Sequence, residues 1–366
     1  MRVLHIIDSL NRGGAEVMLT AMAPRFRKWG VTCDIVALMN WPSSLEQALR
    51  DQGISLRYTG VSRLNSPRQA LALSRLLSGY DIIHVHLFPA QLWAVIAALS
   101  VQNRIPLVTT EHNTWNARRR WWMRPMDAWM YRRYDRIACI SDATAESLIQ
   151  WCPGVSEKIT IISNGIPLDV FEHARPAKLE HIPDNMARLV FVGRYDVQKD
   201  HETLLRALVA VQRAHLLLVG DGPLRLPLEQ LAHSLGVKDR VSFLGIRKDV
   251  AEILKASDIY VHSTHSDGFG IAACEAMAAG LPVVASDVPG LAQVVGGAGI
   301  LFPEGDAEAL ARSLNVLIKN PVQLKTIGLA CLSRAREFDI EKTVEGYIRM
   351  YESVLGISKA QPAELQ

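Results

Sequence analysis

The sequence predicts an α/β protein made of two doubly wound, Rossmann-like lobes. Short apolar runs alternate with helix-length segments along nearly the whole chain, a pattern typical of buried parallel strands joined by helices. The chain has 366 residues, which is enough for two cores of ordinary size. A polar, proline-containing stretch at 167–184 separates the two alternating halves, so we interpret it as the linker.

Each half of the chain supplies its own strands. In the first half we predict strands at 3–7, 34–38, 82–85, 107–109, 137–140 and 159–162, and an Asn164-Gly165 turn follows the last of them. In the second half we predict strands at 189–192, 216–219, 241–244, 259–261 and 283–285. We therefore predict one lobe at 1–170, a second at 171–340 and a terminal segment at 341–366.

Composition and charge exclude several classes of protein. The chain is 49% hydrophobic and 21% charged, which indicates an ordered protein. No apolar run reaches the roughly 18 residues that a membrane-spanning helix needs, and the N-terminus lacks the zones of a signal peptide, so we expect a cytoplasmic location. The net charge is only +3 and no nucleic-acid-binding motif is present, so we expect no nucleic-acid partner.

The cysteines and histidines give little indication of a metal. The five cysteines are scattered and form no Cys-x-x-Cys pair, so disulfides and zinc sites are improbable. His84-Val85-His86 could place two metal ligands on one face of a strand, but polar residues at a strand end are the commoner explanation. We expect no metal cofactor.

The segment 266–282 carries the clearest sign of a functional site. Asp267 and Glu275 stand eight residues apart around a Gly268-Phe269-Gly270 turn, after a buried strand and before a helix predicted at 271–279. One carboxylate therefore lies in the loop and the other inside the helix, and both can face a ligand at the helix N-terminus. Such an end attracts phosphate.

This segment resembles the signature of the retaining, nucleotide-sugar-dependent glycosyltransferases of family 4. In that signature an acidic residue, seven others and a glutamate precede an alanine-rich helix and a Gly-x-Pro-Val-Val strand, which is 280–284 here. This chain has Asp267 where glutamate is usual. The resemblance covers nearly the whole chain and implies the GT-B fold. In that fold an acceptor-binding and a nucleotide-sugar-binding lobe face each other across a cleft, and a helix at about 341–355 crosses back to the first lobe.

The resemblance also implies roles for individual side chains. Arg194 and Lys199 would neutralise the donor diphosphate, although an Arg and a Lys near a strand end are more often surface residues. Glu275 would accept hydrogen bonds from the ribose, and Asp267 would hold a hydroxyl of the transferred sugar. His112, which follows a predicted strand, would reach the donor sugar, although a single histidine is more often structural.

Several glycines and their neighbours complete the expected donor site. Gly13 and Gly14 open a helix after the first strand and let the turn approach a phosphate or a sugar; the alternative is a simple structural turn. They do not form a G-x-G-x-x-G motif, so a dehydrogenase is a poor interpretation. The other expected donor contacts are Gly245, beside the base, and the backbone amides of Gly268, Phe269, Gly270 and Ile271, which would face the diphosphate.

A basic, aromatic segment in the first half has a different character. Between Arg118 and Arg136, seven arginines alternate with tryptophans and tyrosines, a mixture that suits the headgroup layer of an anionic membrane. The predicted membrane or acceptor side consists of Arg118, Arg119, Arg120, Trp121, Trp122 and Arg124. The alternative is a solvated basic helix whose aromatic residues turn into the core.

Together these features predict a glycosyltransferase of the hexosyl type. We expect it to move a sugar from a nucleotide diphosphate sugar, favouring UDP, to a lipid-linked saccharide with retention of configuration and without a metal. We expect it to act in bacterial surface polysaccharide assembly, as a peripheral protein at the cytoplasmic face of the inner membrane. The alternatives are a nucleotide-sugar 2-epimerase of the same fold and a non-catalytic subunit that binds the nucleotide sugar.

Overall fold

The structure is a computed structural model that describes residues 1–11, 13–41, 43–114, 116, 118–179 and 182–357. Arg12 of the glycine-rich turn, 180–181 of the predicted linker and 358–366 of the predicted terminal segment lie outside these residues. The chain divides into two compact units. The first runs from Met1 to Gly165 and resumes at Ile340, and the second is Ile166–Asp339.

The first unit contains a sheet of seven parallel strands. In chain order its elements are β1 (Arg2–Ile7), α1 (Gly14–Met22), β2 (Thr32–Ala37), α2 (Ser44–Asp51), β3 (Ser55–Tyr58), α3 (Arg68–Ser74), β4 (Ile82–His86), α4 (Ala90–Ala98), β5 (Leu107–Glu111), α5 (Arg124–Tyr131), β6 (Arg136–Cys139), α6 (Asp142–Trp151) and β7 (Ile159–Ile161). The strand order is β3-β2-β1-β4-β5-β6-β7. The order reverses between β1 and β4, which makes this pair the topological switch point of the sheet.

The second unit contains a sheet of six parallel strands. Its elements are α7 (Leu168–His173), β8 (Ala187–Val192), α8 (His201–Ala210), β9 (Ala214–Val219), α9 (Arg225–Ser234), β10 (Val241–Gly245), α10 (Val250–Lys255), β11 (Ile259–His262), α11 (Ile271–Ala278), β12 (Val283–Ser286), α12 (Pro289–Val295), β13 (Ile300–Phe302), α13 (Ala307–Lys319) and α14 (Pro321–Ala335). The strand order is β10-β9-β8-β11-β12-β13, so the switch point lies between β8 and β11.

The last helix, α15 (Ile340–Leu355), belongs to the first unit. Its Tyr347 and Tyr351 are fully buried, and the Tyr351 hydroxyl lies 2.6 Å from Nδ1 of His84 on β4. The predicted fold class, two Rossmann-like lobes with a terminal helix that returns to the first, is confirmed. Within the described residues, no helix combines the length and the apolar character that crossing a membrane requires.

Two details of the sequence interpretation are wrong. The segment 167–184 is not a free linker, because α7 lies within it and buries Phe171, and the amide of Ala177 donates to the carbonyl of Glu252 in the second unit. Strands β3 and β13 were not predicted. Both are edge strands of only four and three residues, and an edge strand needs fewer apolar side chains than a central one.

Candidate active site

The predicted donor residues follow the two strands that flank the switch point of the second unit. Arg194 comes two residues after β8, and Lys199 ends a short 3-10 helix (Val197–Lys199) on the same connection. Asp267 lies in the loop after β11. Ligands of open α/β sheets bind beyond the carboxyl ends of the strands at such a point, so topology brings these residues to one edge of the sheet.

Lys199 and Asp267 are in direct contact. Nζ of Lys199 lies 2.5 Å from Oδ2 of Asp267, and both side chains are largely buried. Nε2 of His262, the last residue of β11, lies 3.2 Å from the same oxygen. Burial by itself would raise the pKa of Asp267, but the positive charge of Lys199 and the contact with His262 lower it below its ordinary value. Asp267 is therefore an ionised carboxylate.

The other oxygen of Asp267 is occupied by its own loop. Oδ1 accepts hydrogen bonds from the amides of Phe269, at 3.2 Å, and Gly270, at 2.8 Å. Gly270 has a φ of +87°, a conformation that favours glycine and lets the chain turn into α11. The prediction that these two amides face a diphosphate is therefore wrong, because the carboxylate already takes both hydrogen bonds. Ile271 supplies the next amide along the turn.

The neighbours of this loop explain its tight shape. The side chain of Phe269 is buried and packs edge-on against Phe338, with ring centroids 5.3 Å apart, so Phe269 is a core residue of the second unit. A Cβ atom on Gly290, near the start of α12, would collide with the backbone of Asp267 and Gly268. Sequence reasoning missed Gly290 and His262. A Pro-Gly pair after a strand, and a histidine at a strand end, were the available signals.

Glu275 lies inside α11 with its side chain partly buried. Burial raises its pKa to about 7. Among the described residues, no hydrogen bond or ion pair of its carboxyl group is found. A partly buried carboxyl group without a partner is suited to a ligand that donates hydrogen bonds, such as a vicinal diol.

Arg194 and Gly245 lie at the same edge of the second sheet. The Arg194 side chain is 71% exposed, and its nearest carboxylate is that of Asp196, with 3.9 Å between Nε and Oδ2. Its guanidinium group is thus available to a ligand, whereas the amine of Lys199 already contacts Asp267. Gly245 ends β10, and its carbonyl accepts a hydrogen bond of 2.9 Å from the amide of Gly220, which follows β9.

The glycine-rich turn of the first unit lies between two acids in the sequence, the half-buried Asp8 and the buried Glu16. Gly13 caps α1 and Gly14 begins it, and a Cβ atom on Gly13 would collide with the carboxylate of Glu16. Burial raises the pKa of Glu16 and that of Asp8 to about 7 each. Oδ1 of Asp8 accepts a 2.8 Å hydrogen bond from the amide of Ala90. Sequence reasoning assigned no role to either acid, although Asp8 directly follows β1.

His112 joins a group of buried histidines in the first unit. Its Nε2 lies 3.2 Å from Nδ1 of His86, whose Nε2 lies 3.0 Å from Nδ1 of His5. Burial lowers the pKa of His112 to about 4 and that of His5 to about 3, so both are neutral at physiological pH. His84 bonds elsewhere, with Nδ1 near Tyr351 and Nε2 at 2.8 Å from Oγ1 of Thr110.

The basic, aromatic segment is divided between surface and core. Arg118 is not a surface cation, because it forms an ion pair with the fully buried Asp127. Nη1 of Arg119 donates to Oγ of Ser147 at 2.5 Å. The aromatic residues divide in the same way, because Tyr131 and Tyr134 are core residues.

The exposed part of this segment is short. Trp121 is 80% and Trp122 is 53% exposed, and the guanidinium carbon of Arg120 lies 5.4 Å from the ring of Trp122. Arg124 is also exposed, and its Nε donates to the carbonyl of Trp151 at 3.0 Å. We call these four residues, Arg120, Trp121, Trp122 and Arg124, the exposed patch.

Comparison with known proteins gives a consistent result. Residues 12–170 match the family model described as Glycosyltransferase Family 4, and residues 187–320 match that of Glycosyl transferases group 1. The chain is 28% identical to the N-acetyl-alpha-D-glucosaminyl L-malate synthase of Bacillus anthracis over 75% of each chain. It is 29% identical to the phosphatidyl-myo-inositol mannosyltransferase of Mycobacterium leprae over 93% of each.

A solved structure shares the fold. The crystal structure of Anabaena Alr3699/HepE in complex with UDP and glucose aligns with a TM-score of 0.85 and 23% identity, covering 96% of this chain and 100% of that one. The match at 12–170 lies almost wholly in the first unit, and the match at 187–320 lies in the second.

Proposed function

Because the chain belongs to glycosyltransferase family 4, we propose that it transfers a hexose from a nucleotide diphosphate sugar to a saccharide acceptor with retention of anomeric configuration. The observation that carries the proposal is the edge of the second sheet, where adjacent strands and their loops are followed by the Lys199–Asp267 pair, the exposed Arg194 and Glu275, whose carboxyl group has no partner among the described residues. Two cations and two acids match the two kinds of group in such a donor, phosphates and hydroxyls.

The donor is held at its phosphates by cations and at its sugars by carboxylates. The exposed guanidinium of Arg194 can donate to two phosphate oxygens at once. Lys199 adds a point charge from within the site, and Glu275 accepts hydrogen bonds from the ribose hydroxyls. UDP is the favoured nucleotide, because the HepE structure, which shares the fold, contains UDP and glucose.

Asp267 binds a hydroxyl of the transferred sugar through the oxygen that faces Lys199. Its side chain is one methylene shorter than glutamate, and its Oδ1 is committed to the amides of Phe269 and Gly270. Only Oδ2 remains for a ligand, and Lys199 and His262 already contact it. The carboxylate is therefore held in one orientation before the donor binds, which lowers the entropic cost of positioning the sugar.

The chemical step exchanges one bond at the anomeric carbon for another on the same face. The bond from the anomeric carbon to the phosphate oxygen breaks, the bond to the acceptor oxygen forms, and the acceptor proton passes to the departing phosphate oxygen. Negative charge grows on the diphosphate, and Arg194 and Lys199 stabilise it. We propose that these cations suffice without a metal ion, and that His112 contacts the donor sugar.

The proposed acceptor is a lipid-linked saccharide at the cytoplasmic face of an anionic membrane, in bacterial surface polysaccharide assembly. The exposed patch supports it, because two largely exposed tryptophans next to arginines are suited to the headgroup layer. A cavity of about 160 Å³ beside α5 is lined in part by Arg124 and Arg132. Their guanidinium groups suit this cavity to a phosphate group. The Mycobacterium leprae relative is named for a phosphatidylinositol substrate.

One assay separates this proposal from its two alternatives. The protein is incubated with UDP-, GDP- and ADP-sugars, with and without a bacterial membrane lipid extract, and released nucleotide and sugar products are measured. Nucleotide release that depends on the extract, with a product of the donor's anomeric configuration by NMR, supports retaining transfer. An epimerised donor would instead identify a 2-epimerase. Binding of a nucleotide sugar without any turnover would identify a non-catalytic subunit.

A further inference from the structure

Three histidines of the first unit form a continuous chain of hydrogen bonds at its switch point. His5 lies on β1, His86 ends β4 and His112 follows β5, so three neighbouring strands contribute one imidazole each. Nδ1 of His5 lies 3.0 Å from Nε2 of His86, and Nδ1 of His86 lies 3.2 Å from Nε2 of His112. We call these three residues the imidazole chain.

A metal ion does not explain this cluster. His5, His84 and His86 place one nitrogen each within 4.8 Å of one another, which suggests a three-ligand site. Both nitrogens of His84 are already hydrogen-bonded, however, to Tyr351 and Thr110. In the described part of the chain, no carboxylate or thiol joins the group, so a buried divalent charge would lack compensation. The direct contacts between imidazoles are better explained as hydrogen bonds.

The chain couples the proton positions of its three members. A neutral imidazole has one N–H group and one lone pair, so each ring must donate through one nitrogen and accept through the other. If His5 donates to His86, then His86 donates to His112, and His112 is left with an N–H group at Nδ1. If the direction is reversed, Nδ1 of His112 carries a lone pair instead. The state of His5 thus determines that of His112, although the two rings make no hydrogen bond to each other.

The buried end of the chain decides its direction. Nε2 of His5 is buried without a hydrogen-bond partner in the part of the chain that the structure describes. The rings of Phe26 and His84 lie beside it, with centroids 5.6 and 4.8 Å away. Either direction leaves one N–H group without a partner among the described residues, at Nε2 of His5 or at Nδ1 of His112, and such a group is costly where no acceptor can reach it. His5 is fully buried, whereas His112 is only half-buried and follows the carboxyl end of β5, where a ligand oxygen can accept its hydrogen bond. The favoured direction therefore leaves a lone pair at His5 and runs from His5 to His112.

We propose that His5 and His86 are positioning residues that hold His112 as the neutral tautomer with its proton on Nδ1. Nδ1 of His112 is itself buried and without a partner among the described residues, so it is available to donate to a ligand oxygen. This proposal rests on the proposed function, in which His112 contacts the donor sugar. In that role His112 donates a hydrogen bond to a sugar oxygen and does not act as a base through Nδ1.

Burial is consistent with this assignment. It lowers the pKa of every member of the imidazole chain and of His84, and the neighbouring histidines lower those of His84 and His86 further. His84, which packs against the rings of His5 and His86, itself contacts neutral groups, namely Thr110 on β5 and Tyr347 and Tyr351 on α15. The chain is therefore uncharged near neutral pH, and only its tautomeric state is open.

Nitrogen NMR of the full-length protein tests the proposal without any need for turnover. Protein with ¹⁵N-labelled histidine is recorded as wild type, His86→Leu, His5→Leu and His84→Leu, and His112→Gln serves to assign the His112 signals. In the wild type, Nδ1 of His112 should give an N–H signal and Nε2 a lone-pair signal. His86→Leu and His5→Leu should change this to a mixture of tautomers, whereas the matched control His84→Leu should not. A lone-pair signal at Nδ1, or a His112 tautomer unaffected by His86→Leu, would overturn the proposal.

Kinetics provide the second measurement. His86→Leu should lower kcat by roughly 10- to 100-fold, by analogy with the loss of groups that orient metal-bound imidazoles. His84→Leu should lose no more activity than its change in melting temperature explains. His86→Gln should recover much of the loss, because an amide can accept from His5 and donate to His112. An equal loss in His86→Leu and His84→Leu at matched stability would contradict the positioning role. A wild type that binds donor without turnover would refute the proposed function, while the NMR result would still decide the tautomer.

Discussion

Replacing Lys199 by methionine tests the donor site most directly. Methionine keeps most of the side-chain length but removes the charge that lies 2.5 Å from Asp267. The carboxylate would then be a largely buried, uncompensated anion, and breaking such a pair costs about 3–5 kcal/mol. Lys199 is 21% and Asp267 is 13% exposed, so the lower end of that range applies. For a unit of this size we expect a fall in melting temperature of roughly 6–12 °C.

The loss of stability in Lys199→Met should become smaller as the pH is lowered. In the wild type the pKa of Asp267 is below the ordinary 3.8, so its contribution to stability is present above that value and is lost as the pH falls through the lowered pKa. In Lys199→Met the positive charge that offsets burial is absent, so burial raises the pKa of Asp267. The difference in stability between wild type and variant should therefore narrow as the pH is lowered toward 3.8. Thermal unfolding across this range provides the measurement.

Activity and stability separate in the double variant. Lys199→Met together with Asp267→Asn removes both charges, so most of the lost stability should return. The value of kcat/KM should stay low, because a preorganised cation facing the leaving group contributes about 3 kcal/mol, or roughly 100-fold. Arg206→Met is the matched control, because it breaks an exposed pair with Glu202 away from the site. Wild-type kcat/KM in Lys199→Met would refute the assignment of this amine to the diphosphate.

Four further predictions concern the nucleotide, the pH, the membrane and the metal. Glu275→Gln should weaken UDP binding by about 10-fold or more by calorimetry, because a charged acceptor is lost, and unchanged affinity would contradict ribose recognition. Because burial raises the Glu275 pKa to about 7, the ligand-free protein should lose stability as the pH rises from 4.5 through 7, and Glu275→Gln should remove that slope in thermal unfolding. Trp121→Ala with Trp122→Ala should reduce sedimentation with anionic vesicles, whereas Leu71→Ala, another exposed apolar residue, should not. Transfer activity should survive treatment with a chelator, and a loss that Mg²⁺ or Mn²⁺ restores would contradict the metal-free step.

The parts of the site that could be predicted are local in sequence. Asp267 and Glu275 stand on one loop and helix, so their spacing alone predicts that both lie near the start of α11. Arg194 follows a strongly apolar strand, and its place at the carboxyl end of β8 needed only that strand. Such features depend on hydrophobic periodicity and turn chemistry over a few residues, which the sequence expresses directly.

The contacts that define the site chemically are not local. Lys199 and Asp267 are 68 positions apart, and their ion pair depends on β8 and β11 being neighbours in the sheet. The expectation that the amides of Phe269 and Gly270 face a phosphate is wrong, because the short Asp267 side chain reaches them first. The expectation that Arg118 lies on the membrane or acceptor side is also wrong, because its guanidinium group forms an ion pair with the buried Asp127.

By itself, the sequence determined the α/β class, the two lobes, the family and the loop that carries Asp267, because alternating apolar runs and a rigid turn depend only on neighbouring residues. Tertiary structure alone decided the order of the strands, the Lys199–Asp267 pair and the imidazole chain across β1, β4 and β5. The physical reason is that strand order and register set which distant side chains meet, and burial then sets their charge.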